Sequence, residues 1–393
     1  MGPMDSRLLT RQFALVVGAT FAVFASFGML VYAMPLYARD GLGASDVAVG
    51  LAMGAASIGA ILLGPPSGRI SDRHGRKLVL FAGAAVMLVG YLVLALEPPL
   101  SAVVPVRVVA GAGEAAFVVA TYTMAVDLSP AHRRGEAMSL VTVGSYLGLA
   151  LGPPFAGLVL GDDRFPLVWV TAAAWVALAA VLGARVTETR SQHHGEAPAG
   201  WLPPRSALVP GLVLLCALLG FGGFNAFVVL HARELDISHP GLVFIVFGAV
   251  VVAVRVFGRR LPDRLGSRLA ASIACSTIAV GLAIAALWQS EAGLYVGAAV
   301  FAGGQALAYP AIVLLAISRS APAERSAAVA AVAVFIDIAL AAGAFFLGIV
   351  AEVFDYRAVF AVGAVSAVLG LLLLLRIGVT RSPAAFEVAE DPL

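Results

Sequence analysis

Three ionisable side chains stand inside stretches otherwise built of Ala, Val, Leu, Gly and Phe: Arg107 and Glu114 in one, Asp337 in another. Seven residues on a helix make nearly two turns, so Arg107 and Glu114 share a face. An unpaired ion in the middle of a bilayer costs roughly 3 kcal/mol, which makes accidental placement a poor account. What a carboxyl does well in such a place is bind and release a proton. Burial and a nearby guanidinium act on Glu114 in opposite senses and leave it able to titrate. Asp337 has no base in its own stretch. It is therefore protonated, paired across helices or facing water, and each option suits a proton site better than a lipid-facing position. The competing reading of Arg107 with Glu114 is a structural bridge within one helix.

Asn225 and Gln305 are further polar residues at similar depth, and Tyr309 precedes Pro310 on a stretch expected to bend. Phe21, Phe24 and Phe27, with Phe221, Phe224 and Phe227, recur at helical spacing. Such stripes either wall an apolar cavity or pack against neighbouring helices. Phe24, Phe27, Asn225, Phe224, Gln305 and Tyr309 form the candidate substrate cavity.

The elements that position these residues must be membrane helices. The 393 residues are 61% hydrophobic and only 12% charged, with a mean hydropathy of +0.98. A soluble domain is roughly half apolar and a quarter charged. Disorder is excluded on the same grounds, and the 42 glycines show no three-residue period. A span needs about 20 mostly apolar residues. Twelve such stretches occur: Phe13 to Met34, Val47 to Pro66, Leu78 to Leu96, Val103 to Val126, Met138 to Leu160, Leu167 to Ala184, Leu208 to Leu230, Gly241 to Phe257, Leu269 to Trp288, Gly293 to Ile317, Ala327 to Val350 and Ala358 to Leu375. The first is longer than a signal-peptide core and has no small-x-small cleavage site before Pro35, so it is expected to be retained.

Placing both termini in the cytoplasm puts nineteen of the 25 Lys and Arg residues inside, with Arg39, Arg164, Arg233 and Arg357 outside and Arg107 and Arg255 within helices. That is a strong positive-inside asymmetry, and an odd helix count would spoil it. The formal charge of +2 is too small to argue for nucleic acid. Cys216 and Cys275 suggest neither a disulfide nor a metal site, and His193 with His194 has no Cys or carboxylate cluster beside it. No metal and no cofactor are expected.

The chain divides into six helices over 1–186, a cytoplasmic linker over 187–207, six helices over 208–376 and a tail over 377–393. The two parts echo one another. Tyr37-Ala38-Arg39-Asp40 matches His231-Ala232-Arg233-Glu234, Asp72-Arg73-His74-Gly75 matches Asp263-Arg264-Leu265-Gly266, and Pro130-Ala131-His132-Arg133 matches Pro322-Ala323-Glu324-Arg325, at offsets of 194, 191 and 192. Parallel repeats about an axis along the membrane normal are a transporter architecture, with the substrate site between them near the midplane.

Gly68-Arg69-Ile70-Ser71-Asp72-Arg73-His74-Gly75-Arg76-Lys77 lies between the second and third stretches. It resembles the signature loop of the major facilitator superfamily, Gly-x-Leu-x-Asp-Arg-x-Gly-Arg-Lys, with Ile70 in the Leu position. The resemblance covers essentially the whole chain and implies an all-α membrane fold of twelve helices in two pseudo-symmetric halves. It further implies a conformational latch built on Gly68, Asp72, Arg73, Gly75 and Arg76. In it the Asp72 position meets the start of helix eleven, and the Arg76 position bridges to an acid at the end of helix four, where Asp127 stands. A carboxylate at a helix N-terminus is stabilised by about 0.3–1 kcal/mol, enough to bias an outward-facing state without locking it. The second copy is degenerate, with Asp263 and Arg264 retained but Arg259 in a Gly position. A plain topology determinant is the other reading of the loop.

Arg107-Val108-Val109-Ala110-Gly111-Ala112-Gly113 resembles the superfamily's Arg-x-x-x-Gly-x-Gly motif, although Ala110 replaces a usually polar residue. In related antiporters that Arg is tied to proton transfer. Gly148, Gly152, Pro153 and Gly157 on helix five match part of a motif that resembles the export-type antiporter branch, with Ser139 and Ala156 departing from it. Glycines at four-residue spacing also serve simple helix packing, whatever the function.

The resemblance and the residues together imply a proton-coupled exporter of a hydrophobic or amphipathic small molecule, in the cytoplasmic membrane of a prokaryote. Glu114, Asp337 and Arg107 would carry the proton, and the working unit is expected to be a monomer in the lipid bilayer. A proton-coupled uptake symporter for a sugar or other small metabolite is the alternative. An enzyme is disfavoured, because no zinc-ligand cluster, HExxH, GxSxG or phosphate-cradling loop is found. A sensor on a transporter scaffold would be expected to carry a longer tail.

Overall fold

The computed structural model describes residues 8–161, 163–189, 205–258, 265–321 and 324–376. Most of the expected linker, including His193 and His194, lies outside the described residues, as do Arg259, Asp263 and Arg264 of the second loop, Pro322 and Ala323, and the tail.

The described residues form twelve long helices and no strand. They are α1 (Arg11–Leu36), which runs on into a π-turn over Tyr37–Gly41, α2 (Asp46–His74), α3 (Arg76–Leu94), α4 (Leu100–Asp127), α5 (Arg134–Leu160) and α6 (Phe165–Ala184). After the linker follow α7 (Arg205–Glu234), α8 (Leu242–Phe257), α9 (Ser267–Leu287), α10 (Glu291–Ser318), α11 (Arg325–Val353) and α12 (Tyr356–Arg376). Eleven are long and apolar enough to cross a membrane, and α8, with 16 residues, is shorter. Side-chain caps open several of them. Thr10 accepts from the Phe13 N–H at 3.2 Å, and Ser290 accepts from the Gly293 N–H at 3.1 Å. Pro153 and Pro154 lie inside α5 and Pro310 inside α10, and both helices continue through them. Neighbouring helices in a bundle can accommodate the backbone groups that a proline frees.

Helices α1 to α6 pack chiefly on one another, as do α7 to α12. Small residues allow this. A Cβ added to Gly148 of α5 would press on the Phe21 carbonyl and on the Ala25 nitrogen of α1 at 2.7 Å. In the second group Gly222 of α7 sits against α11 in the same manner, where a Cβ would stand 2.6 Å from the Leu340 carbonyl. Gly113 of α4 lies against Gly83 of α3, as Gly297 of α10 lies against Gly281 of α9. The repeat read in the loops is thus also a repeat of backbone contacts.

The two groups meet at one end, named the outer end after the expected topology, with the opposite one named the inner end. Gly50 and Gly54 of α2 bear directly on Ala344 and Ala341 of α11, and Gly348 bears on Asp46. Beside them Gly241, just before α8, and Gly248 of α8 rest on Pro154 and Ala150 of α5. Toward the other end a Cβ at Gly64 of α2 or Gly135 of α5 would meet nothing within 4 Å. The close backbone contacts between the two groups thus gather at the outer end.

Candidate functional site

Glu114 lies thirteen residues before the inner end of α4, and Asp337 twelve residues after the inner start of α11. At 1.5 Å per residue these are depths of roughly 20 and 18 Å, one on each group of helices. Arg107 and Asp337 are the charged side chains that act on Glu114. The structure therefore places two acids picked from separate stretches at similar depth, one on each group of helices.

Arg107 is 1% exposed; its Nε donates to the Ala52 carbonyl of α2 at 3.4 Å, and its Nη1 has no partner. Among the described residues there is no ion pair between Arg107 and Glu114. The intrahelical bridge is thus not formed, because the guanidinium turns toward α2. Tyr91 of α3 is buried beside Arg107 and acts on it, a neighbour that a lone aromatic in an apolar run did not announce.

Asn225 and Gln305 are both buried, and the Asn225 Oδ1 and Gln305 Nε2 have no partner in the protein. Buried polar atoms are nearly always paired, so each is a place for water or a ligand. Phe224 is a correction. Its ring is 1% exposed and enclosed by Phe244, Phe247, Phe301 and Phe360 at centroid distances of 5.9, 5.6, 5.3 and 6.4 Å. It belongs to an aromatic core within the second group and lines no cavity, since edge and tilted ring contacts are best satisfied by other rings. Phe24 and Phe27 are half-buried, and Phe27 packs against the core of buried side chains. Phe21 meets Trp175 of α6 edge-on at 5.9 Å. Tyr309 is half-buried and feels the charge of Arg255.

Arg255, counted in the sequence only as a base within a helix, is the notable addition. Its guanidinium sits 4.9 Å above the Tyr146 ring of α5, its Nε is buried without a partner, and its charge also reaches Tyr122 of α4. Charge inside an apolar run was the available signal. The central charges are thus two acids and two guanidinium groups.

At the inner end Arg76 is buried, with its Nη1 2.5 Å from Asp72 and its Nε 3.3 Å from Asp127. The Asp72 side chain is 67% exposed and pairs with Arg76. Two further residues complete this network. The Glu188 carboxylate accepts the Arg76 and Lys77 N–H groups at 2.8 and 3.1 Å, and the Thr189 hydroxyl lies 3.2 Å from Asp127. An acid at the first turn of α3 is favoured by its exposed N–H groups. Gly75 has φ +103, and a Cβ there would also strike Glu188. Gly68 has only Val119 near it, and Arg73 is exposed.

The helix-five glycines serve packing throughout: Gly148 against Phe21, Gly152 against Ala25 and Gly28, Pro153 against Gly28, and Gly157 against the Tyr32 hydroxyl. No group of three or more His, Cys, Asp or Glu side chains suited to a metal occurs among the described residues.

A family model described as Major Facilitator Superfamily matches residues 16–312 and, again, 210–391, the second match beginning near the start of α7. An uncharacterized MFS-type transporter of Salmonella typhimurium is 26% identical over 378 residues, covering 90% of this chain and 93% of its own length. A variant of the nucleoside transporter NupG superposes with a TM-score of 0.79 at 14% identity, covering 93% of this chain and 99% of that one. The human organic anion transporter MFSD10 (TETRAN) superposes with a TM-score of 0.68 at 18% identity, with coverage of 93% and 99%.

Proposed function

The chain belongs to the major facilitator superfamily of multi-pass membrane transporters, which are not enzymes, and from that premise we propose that it exports a hydrophobic or amphipathic small molecule by proton antiport. The observation that supports this reading is the placement of Glu114 and Asp337 at matching depth, one on each group of helices, with Arg107 on the helix of Glu114. In alternating access a proton from outside neutralises the pair and the bundle rocks inward. Release of the proton inside then accompanies substrate loading, and the two groups rock back. Moving one charge across 100 mV supplies about 2.3 kcal/mol, or about a fifty-fold gradient per proton. The partly apolar lining suits an amphipathic substrate better than a multiply charged one. The same reading places twelve spans in a prokaryotic cytoplasmic membrane as two halves over 1–186 and 208–376, both termini inside, acting as a monomer.

Ethidium accumulation in everted vesicles with an acidic interior tests it. Accumulation is expected in the unaltered protein and should fall at least about tenfold in Glu114→Gln, since a barrier change near 1.4 kcal/mol suffices. Gradient-driven accumulation that survives Glu114→Gln combined with Asp337→Asn would sink the proton assignment.

Arg255 favours a second reading, proton-coupled uptake of an anionic metabolite. An anion held by that guanidinium attracts a proton on the facing acids, so the two would load together. Proton movement with the substrate, not against it, would decide for uptake.

A further inference from the structure

Asn225 and Gln305 take no part in moving the proton. Asn225 is 8% exposed and Gln305 6%, yet the acceptor Oδ1 of the one and the donor Nε2 of the other are buried without a partner. Asn225 lies nine residues before the outer end of α7, and Gln305 fourteen residues after the outer start of α10. At 1.5 Å per residue the two amides stand at depths of roughly 13 and 21 Å on the same group of helices. The rings of Phe224 and Phe301, 5.3 Å apart, join α7 to α10 between them. Asn225 stands just outward of Phe224, and Gln305 one turn inward of Phe301. On α7, Phe221 faces α8 and α10 while Gly222 faces α11, and with 3.6 residues per turn Asn225 lies between those two directions, away from α12. On α10, Gly297 and Gly304 face α9, and Gln305 lies on the Phe301 side, which is turned to α7 and α8. Above Asn225 the outer end is shut by both groups: the Asp46 carboxylate accepts the Tyr356 hydroxyl of α12 at 2.9 Å, and the Asp46 N–H donates to the Glu352 carboxylate of α11 at 2.6 Å. Packing alone is a poor account of the amides. A buried hydrogen-bonding group left unmade destabilises the fold, and an apolar side chain of the same size would not.

We propose that Asn225 and Gln305 read the polar edge of the transported molecule, an uncharged edge that donates to the Asn225 Oδ1 and accepts from the Gln305 Nε2. The roughly 7 Å between their depths fits polar groups on opposite sides of one ring better than a single hydroxyl. The substrate is then an amphipathic molecule whose ring carries a neutral donor at its outward end and a carbonyl or similar acceptor at its inward end. A site built on hydrogen bonds that only the ligand completes discriminates against analogues that leave them unmade. The inference rests on the reading of the chain as a carrier of amphipathic molecules, but on neither the direction of transport nor its coupling to protons.

Equilibrium binding of tritiated propyl 4-hydroxybenzoate to the full chain in nanodiscs, corrected for empty nanodiscs and with no ion gradient, tests the site. The probe carries a phenol hydroxyl and an ester carbonyl on opposite sides of one ring. Saturable binding is expected. Propyl 4-methoxybenzoate lacks the donor and 4-pentylphenol lacks the carbonyl. At equal concentration in the lipid each should compete at least about tenfold more weakly than the unlabelled probe. In Asn225→Leu the methoxy compound should compete as well as the probe while 4-pentylphenol stays weak, and in Gln305→Met the reverse is expected. Both variants should unfold no earlier than the unaltered chain, whereas side chains that only hold helices together would lower the unfolding temperature when replaced. Asn225→Ser, too short to reach the same hydroxyl, stands in should Asn225→Leu fail to fold. No saturable binding, equal competition by the three compounds, or preferences that survive in both variants overturns the proposal. The Glu114→Gln, Asp337→Asn variant separates the two readings. If it keeps both preferences while losing coupled flux, both hold. If it keeps the preferences and the coupled flux, the amide site stands and the midplane assignment fails. If the preferences vanish, the acids read the polar edge and the amide site is wrong.

Discussion

The two ends of the bundle are held by different physics. At the outer end the contacts cross from one group of helices to the other, through bare backbone at Gly50, Gly54 and Gly348 and through Tyr356 with Asp46. At the inner end the partners of Asp72, Arg76 and Asp127 among the described residues all belong to the first group or to the chain just leaving it. Packing of small residues joins the moving bodies where they touch, and a buried charge network stiffens one body where they do not. A transporter must break the first kind of contact once per cycle and can leave the second intact. Close-packed apolar contact parts without stranding a charge, and the Arg233–Asp40 pair that also crosses there is exposed on both sides, whereas opening a buried ion pair costs several kcal/mol.

The largest effect is expected where that contrast is broken outright. In Gly50→Val the new side chain runs into the Ala344 carbonyl, and overpacking of this kind costs about 1–3 kcal/mol. Because the cost falls only on the closed outer end, it should appear as a shift toward outer-open protein and a loss of transport of about tenfold or more, with thermal unfolding little changed. Labelling of Met53→Cys from the outside measures the shift. An unaltered labelling rate would show that α2 and α11 do not form the closing face.

Arg76→Ala should give the reverse pattern. It leaves Asp127 partly buried without its guanidinium, at a cost of about 2 kcal/mol to the fold of the first group. Unfolding should come earlier while outer labelling stays as it was. A changed labelling rate with unchanged unfolding would mean that the network is a latch between the groups after all.

How legible this was in the sequence differs between the ends for the same reason. Helices and their order follow from apolar runs of about 20 residues, and Arg107, Glu114 and Asp337 are conspicuous because charge in such runs is rare. Asp46, Glu188 and Glu352 stand near the ends of helices, where charged residues are ordinary, so nothing in their type or spacing separated a buried partner from a solvated one. Phe224 failed for a different reason. A Phe on a helix face has one spacing whether the face meets a cavity or four other rings, and only the neighbouring helices decide.

Arg255→Lys probes the region between the ends. The ammonium keeps the charge but loses the planar contact with Tyr146, which is worth about 1 kcal/mol. A two- to fivefold loss of ethidium accumulation is expected, with outer labelling unchanged. If accumulation is unaffected, Arg255 only steadies α8 against α5.

The smallest change in the structure as it stands is expected from Gly64→Leu. Gly64 lies fourteen residues from Gly50, close to four full turns, and so on the same side of α2. A Cβ there meets nothing within 4 Å, and unfolding should move by no more than about 0.5 kcal/mol. Gly50 shows what such a face does when the partner helix arrives: it must be bare. If the inner ends close by bringing α11 down on the inner half of α2, as the outer ends have done, Gly64→Leu should slow turnover severalfold at unchanged stability and raise the inward-open fraction. Unchanged turnover would mean that the inner ends close over another surface. The likeness between the two ends would then stop at the loop motifs and not extend to how the helices meet.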